Sequence, residues 1–145
     1  MPETTTEVAA TSEDIWAIVS NSTRTAEWLA PIHTLDGASA DVPFAAGQAF
    51  RVALNGRVPA SSLRVQAVEP GRRLRFTVGP SFAHALGLAM RAEVRLTPTE
   101  TGTSVTVEIA CNPVTGRFQK AVSGMHVGAA AAASAADLKQ MAEDS

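Results

Sequence analysis

The sequence predicts an α+β fold: a curved antiparallel sheet wrapped around a long C-terminal helix, with two short helices after the first strand. Three observations predict it. Between residues 50 and 109 apolar side chains recur with a period of two. Near residues 15–29 and beyond about 115 they recur at helical spacing instead. Turn residues, not helices, separate the period-two runs, so successive strands pair antiparallel, with one dry face and one wet face.

Residues 3–10, ETTTEVAA, read as a first strand with Thr4, Thr6 and Val8 on one face. Thr11-Ser12-Glu13-Asp14 then precedes Ile15-Trp16-Ala17-Ile18-Val19. A hydroxyl followed by acids opens a helix, because unpaired N–H groups and the helix dipole both favour oxygen and negative charge there. Asn21-Ser22 ends that helix, and residues 24–29 form a second, stopped by Pro31. Five alternating runs follow, with inward sets Phe50, Val52, Leu54; Leu63, Val65, Ala67; Leu74, Phe76, Val78; Ala92, Val94, Leu96; and Val105, Val107, Ile109. Asn55-Gly56, Pro70-Gly71 and Thr101-Gly102-Thr103 supply turns between them. Residues 115–142 read as an Ala-rich helix with Phe118, Val122, Met125 and Ala129 on one stripe. Leu138 and Met141 point away from that stripe, which predicts a bend near Gly124–Gly128.

A chain of 145 residues fits one domain, 1–145, large enough for a core without staples. A net charge of −2 excludes the basic excess expected of a nucleic-acid binder. One cysteine allows no internal disulfide, no stretch reads as a signal peptide, and no apolar run is long enough to span a membrane. The expectation is a cytoplasmic protein, monomer or homodimer, with no nucleic-acid partner and no stable membrane insertion.

No metal or cofactor is expected. The three histidines, His33, His84 and His126, show no ligand spacing, and neither a phosphate-binding loop nor a dinucleotide fingerprint occurs. Cys111 falls in phase with Val107 and Ile109 and reads as a small core hydrophobe, not a nucleophile. Arg64, Arg73, Arg75, Arg91 and Arg95 make an outward basic set, read as a solvated face balanced by Glu69, Glu93 and Glu108, with a partner surface as the alternative. The 79–90 segment, with Phe82, His84 and Met90, is too apolar for an ordinary loop; it is a lid over a cavity or a plug of the core.

Ile15-Trp16-Ala17-Ile18-Val19-Ser20, followed by Ala26-Glu27-Trp28-Leu29-Ala30-Pro31-Ile32, resembles the N-terminal signature of the polyketide cyclase/dehydrase-like branch of the START/Bet v1-like (SRPBCC) helix-grip superfamily. Gly47-Gln48-Ala49-Phe50, Val68-Glu69-Pro70-Gly71-Arg72-Arg73-Leu74, Leu96-Thr97-Pro98 and Gly102-Thr103-Ser104-Val105-Thr106-Val107 extend the match, as does the tail Asp137-Leu138-Lys139-Gln140-Met141-Ala142-Glu143. The resemblance implies seven strands in the order β-α-α-β-β-β-β-β-β-α, adding one near residues 32–38 that periodicity does not reveal. It also implies that the second short helix lies at a cavity entrance, where Trp28 serves core packing or ligand contact. The chain has no tyrosine, the residue that often supplies a polar contact in such cavities.

The functional expectation is a binder of a small hydrophobic ligand: a lipid, an aromatic polyketide or an isoprenoid. An apolar sheet face opposite a helix that is nearly all alanine from Ala129 to Ala136 leaves unfilled apolar volume, which is a pocket. Its expected lining is Trp28, His33, Phe50, Leu54, Phe76, Phe82, His84, Met90, Cys111, Val122 and Met125. The alternatives are a cyclase/dehydratase-type enzyme using His33, His84 or His126 for proton transfer, or a protein-interaction module resembling Hsp90 activators, with the arginine face as the contact.

Overall fold

The computed structural model describes residues 3–29, 32–36, 43–54, 61–80, 84–86, 89–110 and 127–144. Strand β1 (Glu3–Val8) leads into helix α1 (Ser12–Val19), a 3-10 turn (Ser22–Arg24) and helix α2 (Thr25–Trp28). Six further strands follow: β2 (Ile32–Leu35), β3 (Ala49–Leu54), β4 (Ser61–Glu69), β5 (Arg73–Gly79), β6 (Met90–Pro98) and β7 (Thr103–Ala110). Helix α3 (Val127–Glu143) closes the chain.

The strands form one antiparallel sheet in the order β1-β7-β6-β5-β4-β3-β2. Six of them run for six to nine residues. The far edge is β2, only four residues long, and its pairing with β3 shifts between Ile32 and Thr34. With four residues and a shifted register, β2 is too short to display a period of two, which is why periodicity does not reveal the strand. Helix α3 lies against β1 and β7 and touches α1 and α2, so the sheet holds the helix in the manner of a helix grip.

Helix α1 starts as the sequence requires. The Thr11 side chain accepts from the Asp14 N–H at 3.1 Å, and Glu13 and Asp14 occupy the first turn. Gly71 (φ 76°) carries the left-handed residue of a three-residue hairpin connection between Glu69 and Arg73. Gly102 is required by close approach instead: a Cβ there would sit 2.1 Å from the Val8 carbonyl oxygen.

The inward sets bury as alternation predicts at Val52, Leu63, Val65, Leu74, Phe76, Val78, Ala92, Val94, Leu96, Val105, Val107 and Ile109. Three corrections follow from register and packing. First, β4 has a bulge between Val65 and Ala67, so Ala67 leaves the inward phase, and Val68, opposite Leu74, packs against the core. Second, Glu93 and Glu108, expected in water, are buried. They face each other across β6 and β7, and Glu108 also faces Glu3 on β1, so three carboxylates form one row. Arginines from β5 and β6 fold over that row and exclude water with their stems. Third, a two-residue turn at Asn55-Gly56 would place Val52 opposite Pro59, whereas Val52 pairs with Ser61. Residues 55–60 themselves lie outside the described residues.

The C-terminal helix carries one continuous buried stripe of Ala130, Ala131, Ser134, Ala135, Leu138 and Ala142, with Met141 packed at its margin. Leu138 belongs to this buried face, while Ala129, on the opposite side of the helix, is only half-buried. The expected bend reaches into residues 124–126, and the earlier stripe members Phe118, Val122 and Met125 also lie outside the described residues. Ala130, Ala131 and Ala135 are sealed from solvent. At this end the small side chains let α3 pack directly on β1 and β7.

Candidate functional site

The inward sheet face is mainly apolar, with the buried hydroxyls of Ser61 and Thr103 among its members, and every charged side chain described on a strand lies in the outward phase. Three phenylalanines meet on the inner side. Phe44 packs edge-to-face on Phe50 (centroids 5.5 Å apart, 85°) and on Phe76 (5.0 Å, 69°). Phe76 is sealed at 1% exposure, and Met90, opposite Val78, is buried beyond it. Phe50 behaves differently: it shares the inward phase of buried Val52 yet stays half-buried. Phe44 was missed by pattern reasoning because it sits in an irregular stretch with no period. Its backbone N–H donates to the Ser20 carbonyl, tying that stretch to the end of α1.

Trp28, on the single-turn helix α2, is 2% exposed, and its indole Nε1 has no hydrogen-bond partner among the described residues. Thr25, one turn earlier on the same helix, is fully buried with its hydroxyl in the same condition. The i, i+3 spacing of a hydroxyl and an indole is the sequence signal for this pair.

His84 is placed away from the inner face. Its Nε2 lies 3.1 Å from both Ser62 Oγ and the Ser62 carbonyl oxygen, and its Nδ1 lies 3.4 Å from Thr77 Oγ1. Ser62 and Thr77 alternate with inward Leu63 and Phe76, so the imidazole sits on the outer face of β4 and β5. It holds residues 84–86 there, where Leu86 is 69% exposed. His33 lies on β2 and Leu54 on β3, their side chains outside what is described. Phe82, Cys111, Val122, Met125 and His126 lie outside the described residues.

The outward arginines are not simply solvated. Glu93, its side chain 3% exposed, takes Arg73 at 3.4 Å, Arg75 at 3.3 Å and Arg95 at 3.3 Å. Arg91 holds Glu108 at 3.1 Å and Arg95 reaches Glu3 at 2.8 Å. Elsewhere, an open cleft of about 310 Å³ lies between α2 and the end of α3, lined by Glu27, Asp137, Gln140, Met141 and Asp144. Its carboxylates make it unlike an apolar ligand site. Among the described residues no cluster of histidine, cysteine or carboxylates could hold a metal ion, and no helix is long and apolar enough to cross a membrane.

This geometry agrees with comparisons to known proteins. The family model described as polyketide cyclase/dehydrase and lipid transport matches residues 3–144. The chain belongs to that family. Solved structures of the same START/Bet v1-like fold include a Mesorhizobium loti protein, 21% identical over 99% of this chain and 96% of that one, with a TM-score of 0.71. The Aha1 dimer from Colwellia psychrerythraea is 15% identical over 97% of this chain and 94% of that one, with a TM-score of 0.68. DynU16, a protein of the dynemicin biosynthetic locus, is 23% identical over 97% of this chain, with a TM-score of 0.65. This chain spans only 46% of DynU16's length. At these identities the likeness is one of fold. No curated protein matches the chain by sequence.

Proposed function

We propose that this polyketide cyclase/dehydrase-family chain binds a small hydrophobic ligand, a lipid, aromatic polyketide or isoprenoid, between the sheet and the C-terminal helix, as a monomer or homodimer. Family membership supports a ligand-binding or a cyclase-type function. The observation that carries the binding reading is Phe50: an aromatic ring in the inward phase that its neighbours leave half-buried, beside the Phe44–Phe76 contact. An inward aromatic with unfilled contact area is where an apolar ligand gains most. The proposed walls are Phe50, Leu54, Phe76 and Met125, with Trp28 near the opening.

The outward placement of His84 favours binding over acid–base chemistry, because a proton-transfer group must reach the substrate. The test is titration with an environment-sensitive apolar dye, then displacement by candidate ligands. Phe50→Ala and Phe76→Ala are expected to change dye affinity, while Arg75→Ala, on the outer face, is expected to leave it unchanged. Absence of dye binding, or equal sensitivity to Arg75→Ala, would overturn the reading.

A further inference from the structure

We propose that the ligand of this interior site is an oxygenated one, whose carbonyl-type oxygen is engaged together by Trp28 Nε1 and Thr25 Oγ1. The inference rests on the ligand-binding reading above and narrows its substrate class. Buried side-chain donors almost always have partners, and one left without is a group awaiting something. Elsewhere this chain follows that rule. The Ser20 hydroxyl donates to the Trp16 carbonyl at 2.6 Å, and the Thr103 hydroxyl donates to the Ala10 carbonyl at 2.8 Å. Among the described residues, the buried side-chain atoms without a hydrogen bond fall into two groups. Some are arginine Nε atoms on the outer face, whose guanidiniums are already engaged in ion pairs. The others are Thr25 Oγ1 and Trp28 Nε1, three residues apart on the single turn of α2.

A threonine in a helix can satisfy itself on a carbonyl one turn back, and Thr25 does not. Both atoms are sealed from solvent, so water does not serve them. The acceptor must therefore arrive on a molecule that is otherwise apolar enough to enter a dry interior. An indole N–H can only donate, and a hydroxyl can donate as well, so the partner must accept. A carbonyl oxygen has two lone pairs and can accept from both. Residues i and i+3 lie on one side of a helix, about 4.5 Å apart along its axis, within the span one oxygen can bridge. Helix α2 packs on β2 and α3, so the ligand reaches the pair when this short turn lifts from them. A ketone, quinone or ring lactone on an apolar skeleton fits; a hydrocarbon or a plain acyl tail leaves both donors unpaired.

The experiment compares anthraquinone with anthracene, two tricyclic probes of nearly equal shape, by calorimetric titration of the wild-type chain, Trp28→Phe and Thr25→Val. The wild type is expected to favour the quinone by roughly tenfold or more, the usual yield of satisfying a buried donor. Each variant is expected to lose most of that preference. Thr25→Val, nearly the same shape, serves if Trp28→Phe fails to fold. In ¹H–¹⁵N spectra the Trp28 indole resonance, assigned by its loss in Trp28→Phe, is expected to shift with the quinone and much less with the hydrocarbon. Equal affinity for the two probes in the wild type would overturn this inference and leave the ligand-binding reading standing, as would a preference that survives in both variants. Failure of both probes to bind would remove both readings.

Discussion

Glu93 and Phe76 show how two residues in neighbouring strands can be buried for opposite reasons. Phe76 is buried by contact with Phe44 and the rest of the inner face. Phe76→Ala is expected to cost about 3–5 kcal/mol in chemical denaturation if its neighbours do not collapse into the space. Glu93 is buried by its own counter-ions, at the centre of Arg73, Arg75 and Arg95 and directly opposite Glu108. Glu93→Gln removes the charge and leaves three guanidiniums facing one another. The arginines keep about a third of their surface in water, so the loss is expected to be about 1–3 kcal/mol, below that of a fully enclosed ion pair. Salt decides the cause: added sodium chloride should recover part of the loss by screening arginine repulsion. A loss independent of salt would point to packing instead.

At the scale of elements, the end of α3 is fastened to β1 by two polar contacts. The Glu143 carboxylate accepts from the Ala9 N–H at 2.9 Å and from Lys139 Nζ at 2.7 Å, and Lys139 also donates to the Glu7 carbonyl at 2.7 Å. The Ala9 N–H, and then Lys139, hold the Glu143 carboxyl below the ordinary glutamate value of 4.5. A depressed carboxylate contributes stability that is present above 4.5 and lost as pH falls through its folded value. Thermal unfolding should therefore lose this contribution below about pH 4.5, and Glu143→Gln should flatten that part of the profile. An unchanged pH profile in the variant would show the contact contributes nothing.

Most elements were legible in the sequence because their signals are local: a cap at Thr11, alternation from Leu74 to Val78, a glycine turn at Gly71. What was not legible depends on partners. The slip that turns Val68 inward follows from pairing with β5, not from the β4 sequence. Burial of Glu93 needs arginines from two strands, and no window of one strand contains them. Of the site, the aromatic content at Phe50 and Phe76 was legible. The outward placement of His84 was not, because it depends on the path of a connection whose residues carry no period.

For the molecule as a whole, the sheet order sets β1 and β2, neighbours in sequence, at opposite edges. The chain crosses from one edge to the other through α1 and α2, and that crossing brings Thr25 and Trp28 against the interior. The strand with the least regular pairing, β2, touches the same helix. On the proposed ligand-binding reading, rearrangement is expected at this edge rather than at β6 and β7, whose ladder is regular throughout.

Pairing of β1 with β7 also has a temporal meaning. Thr5 and Thr106, whose hydroxyls meet at 2.9 Å, stand 101 residues apart in the chain. Closing a loop of that size costs entropy before any contact rewards it, so this pairing is expected to form late and folding to be slow, in the millisecond-to-second range. During synthesis β1 waits for β7, the last strand of this sheet in chain order. Val8→Ala, at the end of that strand, should accordingly speed unfolding while leaving the refolding rate nearly untouched. A nascent chain halted before residue 103 would then hold its N-terminal segment unpaired, exposed to chaperones and proteases until β7 is made.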